Sequence, residues 1–294
     1  MEKKYMSPDL KYFTSQEVSN ILGVHVSTIK RWTEQGELDC VRTAGGHRKF
    51  LFNHVADFLD RHEDKISQAH LFPIETEKDL EVSYHILKGD FEFLREEVLE
   101  MALNRERDMI QQILNGLYLG QYELHAIYDR LLTPVLYEIG RLWEEEKISV
   151  IEEHIGSQTI RDGIIRLQGG ITIPSKKIGS ALCVTLSTEL HDIALKMVDH
   201  ILEEKGFNIL FSGQLTPMYN VDKVLAKFDV DRVYLSSTYN QDTNMAQFEL
   251  NYLLDQCESH NVDLYIGGNG FDKLSYNPDK IKGRLYSFRD VFES

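Results

Sequence analysis

The sequence predicts a multidomain chain of mixed α and α/β class: an N-terminal winged helix-turn-helix, a four-helix bundle and a C-terminal Rossmann-like parallel α/β domain. Three observations carry this. Residues 12–50 hold two short helical signals around Gly23, followed by a basic hairpin. Residues 77–169 repeat apolar positions at helical spacing, and residues beyond 178 alternate short apolar runs with amphipathic helices. Changes of composition around His70–Glu77, which includes Pro73, and around Ile171–Lys177, which includes Pro174, mark the joints. The expected domains are therefore 1–72, 76–170 and 178–294.

In the first unit Thr14 and Glu17 have capping-box spacing, in which hydroxyl and carboxylate each satisfy an orphan amide at a helix start. A short helix to Leu22, a turn at Gly23, a second helix through Ser27–Trp32 and a stop at Gly36 should follow. Val41–Phe50 then carries Arg42, Arg48 and Lys49 and no acid, with Gly45-Gly46 as the hairpin tip. This pattern suits double-stranded DNA. Ser27, Thr28, Lys30 and Arg31 lie on an early helical turn that can enter a major groove, while Arg42, His47, Arg48 and Lys49 can meet phosphates. A polar surface hairpin beside a helix pair is the plainer alternative. Trp32 is read as core, because a small unit needs large apolar residues.

In the second unit Ile110, Ile113, Leu114 and Leu117, then Leu124, Ile127, Tyr128 and Leu131, fall on helical faces, and four helices pack into a bundle. Pro134 belongs in a first turn or at a kink, where its missing amide costs least. In the third unit apolar runs at 181–186, 208–211, 232–235 and 263–266 are strands, separated by helices at 194–201, near Val224 and at 246–260. Ligands of such sheets bind beyond the carboxyl ends of the strands. That rim collects Ser187, Thr188, Glu189 and His191, then Ser236, Ser237 and Thr238, then Gly267 and Gly268. An imidazole there can ligate a transition metal through one nitrogen if Glu189, Asp192 or a carbonyl orients the other. Helix capping or simple exposure is the plainer role for His191.

Composition narrows the function. The 294 residues are 42% hydrophobic and 27% charged, ordinary for a globular chain, and the formal charge of −15 excludes non-specific coating of nucleic acid or anionic membrane. Any DNA contact must come from a local patch. With no signal core and no long apolar run, the expected location is the cytoplasm, with no membrane partner. Cys40, Cys183 and Cys257 form no paired motif and are expected to be inert thiols.

Two family resemblances rest on these residues. Residues 12–50 resemble the winged helix-turn-helix of the MerR family, through the Arg-Thr-x-Gly-Gly-His-Arg segment. Residues 178–290 resemble cobalamin-binding domains, with Glu189-Leu190-His191-Asp192-Ile193-Ala194 matching the loop that supplies the lower axial histidine. Trp143, nine residues, then Glu153-His154 matches the capping helical domain of CarH/LitR-type photoreceptor regulators. Taken singly, Trp143 reads first as a helix-end core aromatic and Glu153-His154 as a solvated acidic face.

Jointly the resemblances imply a DNA-binding transcription regulator, not an enzyme, that senses adenosylcobalamin and couples its state, and light through photolysis, to homo-oligomerisation as dimer or tetramer and to operator binding. They imply His191 as the cobalt ligand and Trp143, Glu153, His154, Glu189, Ser236, Ser237, Gly267 and Gly268 as the cofactor-binding residues. Two departures are visible. Ala194 replaces the usual glycine, and Glu144 follows the capping Trp where light-sensing members carry histidine; His154 is the candidate substitute on cobalt. A cofactor-independent regulator whose domain binds a partner protein, haem, a bilin or another tetrapyrrole is the alternative. A corrinoid carrier for methyl transfer or a mutase leaves residues 12–50 unexplained.

Overall fold

A computed structural model describes residues 13–22, 24–43, 45–62, 77–120 and 122–294. The expected turn at Gly23 and the joint around Pro73 lie outside the described residues.

Packing divides the chain into two units, one running to Leu94 and including Asn115–Gln121, the other holding Arg95–Leu114 and Tyr122–Ser294. The first opens with β1 (Phe13–Thr14), α1 (Ser15–Ile21) and α2 (Val26–Gln35). The Thr14–Glu17 box forms as expected, with the Thr14 amide donating to Glu17 at 2.6 Å and the Glu17 amide to the Thr14 hydroxyl at 3.2 Å. Gly36 ends α2 in the left-handed region at φ 72°, where a side chain would be strained, and its amide returns to the Trp32 carbonyl. β2 (Val41–Arg42) and β3 (Arg48–Phe50) form the hairpin, and β3 also pairs with β1. α3 (Phe52–Arg61) completes the unit. Trp32 is core, its ring tilted against Phe58 with centroids 4.7 Å apart, among Val18, Leu22, Ile29, Leu38 and Phe50. α4 (Glu77–Lys88) belongs to this unit as well: Tyr84 meets Phe13 edge-on, and Lys88 pairs with Glu17.

Four further helical stretches follow: α5 (Phe91–Leu103), α6 (Arg107–Leu119), α7 (Leu124–Ile127) running through a π turn into α8 (Thr133–Glu144), and α9 (Val150–Leu167). With α4, which the periodicity merged into the bundle, the region holds one helical stretch more than expected. The apolar stripe Ile110, Ile113, Leu114, Leu124, Ile127, Tyr128 and Leu131 is buried. Pro134 sits in the first turn of α8. A proline here can neither donate to the Arg130 carbonyl nor approach it closely, and the preceding π turn (Tyr128–Leu132) widens the helix. The Arg95 guanidinium fills that carbonyl at 2.6 Å.

The α/β domain contains β4 (Gly179–Thr185), α10 (Ile193–Lys205), β5 (Phe207–Phe211), α11 (Val221–Lys227), β6 (Arg232–Ser236), α12 (Thr243–His260), β7 (Asp263–Gly267), β8 (Gly283–Leu285) and α13 (Phe288–Glu293). Every pairing is parallel, in the order β5-β4-β6-β7-β8. The three-residue β8 and α13 escaped the sequence reading because neither carries an apolar run long enough to signal itself. Registers align Thr185 with Ser236 and Ser236 with Gly267, so three strand ends stand level. Strand order reverses between β4 and β6, the place where such sheets open a crevice. Among the described residues no helix is long and apolar enough to cross a membrane.

Candidate cofactor and DNA-binding sites

The loop from β4 to α10 crosses that switch point. Its organising group is Glu189, which is fully buried. One carboxylate oxygen accepts from the His191 amide at 2.8 Å and pairs with the His191 ring Nδ1 at 2.6 Å. The other accepts from the amides of Thr238 at 2.5 Å and Tyr239 at 3.1 Å, beyond the end of β6. A single side chain thus stitches the two loops across the reversal of strand order. Burial alone would push the Glu189 carboxyl up, but hydrogen bonds from the His191 ring and from the His191, Thr238 and Tyr239 amides outweigh it, and its pKa falls below the ordinary value. The same contact raises His191, against burial, and Glu153 on α9 adds to the rise.

The consequence is an oriented imidazole. Nδ1 is spoken for, and the ring, 57% exposed, presents its Nε2 edge. Of the acceptors considered for this role, the structure selects Glu189. Asp192 goes elsewhere: its carboxylate takes both arms of the Arg161 guanidinium at 3.1 and 3.0 Å and the Gln214 amide at 3.2 Å. Leu190 on the same loop is exposed, as are Leu215 and Tyr239, whose backbone amides bond Glu189, and the Thr188 hydroxyl of the loop is buried with no partner. An oriented imidazole and an orphan hydroxyl on one loop at a switch point are what a ligand site needs. Ala194 lies in the first turn of α10, where ordinary helical geometry accepts a methyl group without strain.

Ser236, Ser237, Gly267 and Gly268 are on the same rim but closed on one another. The Ser237 amide donates to the Gly267 carbonyl at 3.0 Å, the Gly270 amide to the Ser237 carbonyl at 2.9 Å, and the Ser237 hydroxyl to Asn240 at 2.8 Å. A Cβ at Gly268, whose φ is 101°, would overlap the Ser237 carbonyl. The glycines permit two loops to touch.

On the bundle, Trp143 ends α8 and is 47% exposed. Glu153 pairs with His154 and accepts from Ser157 at 2.9 Å. Glu153, Ser157 and Arg161 repeat every four residues on α9, so one stripe addresses the His191 loop through the field of Glu153 and the Arg161–Asp192 pair. Glu144 is exposed at the end of α8. Sequence reasoning missed Arg161 because nothing in its local pattern distinguishes it from a solvated helix charge.

In the first unit, Ser27, Lys30 and Arg31 are exposed and Thr28 is half-buried, on the face of α2 opposite Ile29 and Trp32. His25, unremarked in the sequence, caps this helix: its Nδ1 accepts from the Ser27 amide at 3.3 Å and lies 2.8 Å from the Ser27 hydroxyl. Arg42 and His47 are exposed and Lys49 half-buried on the hairpin. Arg48 departs from the expectation of an open phosphate contact. Its guanidinium binds Glu34 of α2 at 2.8 Å, its side chain is only 13% exposed, and its Nε is buried without a partner. The thiols of Cys183 and Cys257 are buried, and burial pushes Cys257 up to about 12.

Residues 12–63 match the helix-turn-helix domain model and residues 84–168 the B12 binding domain model. The chain thus joins a helix-turn-helix domain to a B12 binding domain. It is 24% identical over 262 residues to the HTH-type transcriptional repressor CarH of Myxococcus xanthus, covering 85% of this chain and 86% of that one. It is 28% identical over 100 residues to the glutamate mutase sigma subunit of Clostridium cochlearium, 33% of this chain and 70% of that protein. The monomethylamine corrinoid protein of Methanosarcina barkeri superposes with a TM-score of 0.54 at 15% identity, over 69% of this chain and 96% of that structure, which shows the fold.

Proposed function

We propose that this regulator senses adenosylcobalamin and binds an operator in double-stranded DNA according to whether the corrinoid is held, acting as a repressor. The observation that carries the reading is His191, more than half exposed at the sheet's switch point, with Nδ1 fixed by a buried carboxylate. Among the described residues no group of three or more His, Cys, Asp or Glu is placed to hold a metal ion. A single imidazole suits a metal that arrives with its equatorial positions already filled by a macrocycle. A bound corrinoid would supply that cobalt; His191 would ligate it, and Trp143, Glu153 and His154 would help to hold the group.

Homo-oligomerisation is the coupling we infer, because a ligand that fits one arrangement of bundle and sheet favours the assembly that presents paired DNA-binding modules. The exposed Lys30 and Arg31 on α2 and Arg42 and His47 on the hairpin give the local patch that an acidic chain needs for DNA. Light is the finer part of the reading. Glu144 stands where light-sensing relatives carry an imidazole, so a second histidine for the cobalt would have to come from His154.

The test is absorption of the purified chain after incubation with adenosylcobalamin in the dark. Retention of the chromophore by the native chain and its loss in His191→Ala is the expected result. No retention in either chain removes the cofactor claim, and equal retention in the two chains removes His191 as the residue that holds it. The self-closed Ser237 and Gly268 loops favour one alternative, a module that binds a partner protein without cofactor; an operator affinity indifferent to adenosylcobalamin and to His191→Ala supports it.

A further inference from the structure

Asp192 occupies the N-cap position of α10, yet its side chain caps nothing there. Aspartate at a helix N-cap ordinarily accepts an amide of the first turn and steadies the helix by about 1 kcal/mol. Here the carboxylate, almost wholly buried, turns to the Arg161 guanidinium in a two-armed contact and to Gln214, whose amide also donates to the Leu190 carbonyl at 2.6 Å. The residue next to His191 therefore gives up local capping for a bond to another element.

Arg161 is no ordinary surface charge either. It is about a third exposed, its pairing with Asp192 outweighs partial burial and raises its pKa, and it stands two turns along α9 from Glu153. The planar fork of arginine makes such a contact directional, so displacing the loop must pull on the helix.

We propose that the Arg161–Asp192 pair is the coupling element of this regulator: it ties the histidine loop to the helix bearing Glu153 and His154, so that the state of His191 is transmitted along α9. The identity of the signal rests on the reading under Proposed function; the mechanical tie does not. Arg161 and Asp192 are positioning residues, acting through the loop and the helix and not on the ligand.

The test is amide hydrogen exchange along α9 in the full chain, in a cycle of Arg161→Met and Glu189→Gln, with His191→Ala replacing the latter should circular dichroism show it unfolded. Without cobalamin, the loop substitution is expected to speed exchange between residues 153 and 161 on the order of tenfold when Arg161 is present. It should have no further effect when Arg161 is Met, and Arg161→Lys should restore only part of the coupling. Multiplying, independent effects overturn the proposal. Adenosylcobalamin is then added. Expected is slowed exchange in α9 of the native chain but not of Arg161→Met, although both hold the chromophore; equal slowing overturns the proposal. If neither chain takes up the chromophore, the sensing reading fails and the ligand-free cycle still decides the coupling.

Discussion

Two segments of one sheet rim, the β4–α10 loop and the paired loops after β6 and β7, look alike in sequence and behave oppositely. Each is a run of small and polar residues just past a parallel strand. In the first, the buried Glu189 gathers donors from two loops, and one of them, His191, is left with a free ring edge. In the second, Ser237, Asn240, Gly267 and Gly270 satisfy one another. The difference lies in where the acceptor sits: a buried carboxylate with more acceptor capacity than local amides can fill orients a side chain outward, whereas hydroxyls and carbonyls at contact distance close inward.

The sharpest way to break this comparison is Gly268→Ala. Its φ of 101° with ψ of 156° is essentially confined to glycine, and the new methyl would overlap the Ser237 carbonyl, so a loss of about 4 kcal/mol is expected in denaturant unfolding. A loss below about 1 kcal/mol would mean that the two loops separate easily. Next is Glu189→Gln, which sets an amide NH2 against main-chain donors. A loss of about 2 to 3 kcal/mol, together with loss of bound adenosylcobalamin, is expected from the unpaired buried amides. Unchanged stability would show that the carboxylate does not organise the loop.

How far the sequence disclosed this is itself physical. Helices and strands with complete apolar patterns, such as α10, α12 and β4, are legible because periodicity reports burial directly. His191 is legible because it follows a strand end, and Trp32 because a small core needs it. The closure of Ser237 on Gly268 is not legible: a hydroxyl that faces a ligand and one that faces a neighbouring loop look the same in a chain. Neither is Arg161, whose partner lies 31 residues away, nor Arg48, whose basic neighbourhood points to phosphate while the fold gives it Glu34. Long-range pairs of charges escape local patterns.

A third prediction extends the contrast to the histidine one helix further in. His200, fully buried on α10, shares a hydrogen bond of 2.9 Å between its Nδ1 and the Tyr128 hydroxyl, and its Nε2 has no partner. Burial, with a smaller push from Lys196, lowers its pKa from 6.5 to about 3. The folded chain keeps this ring neutral while the unfolded chain takes up a proton. Its contribution to stability is therefore complete above 6.5 and is lost as pH falls from there toward 3. At pH 5 the loss amounts to about 2 kcal/mol. His200→Phe should flatten the stability profile between pH 7.5 and 5 by that amount, whatever it does to the baseline. An unchanged slope would show that the buried ring is charged or hydrated. His191, raised by Glu189, carries the opposite sign: the stability it contributes weakens as pH rises through its folded pKa.

The smallest expected effect separates two arginines six residues apart on the wing. Arg42 is exposed, and a guanidinium that meets a phosphate displaces about one condensed counterion, so Arg42→Ala should lower the magnitude of the salt slope of operator binding by about 1. Arg48 is already paired with Glu34 and mostly covered. Its replacement by Ala should leave the slope unchanged while weakening binding by up to about 1 kcal/mol, because what is lost is the brace between hairpin and recognition helix and not a phosphate contact. Glu34→Gln should reproduce that weakening, since it breaks the same brace from the other side. If Arg48→Ala instead lowers the slope as much as Arg42→Ala does, the Glu34 pair opens on DNA and Arg48 is a phosphate ligand after all.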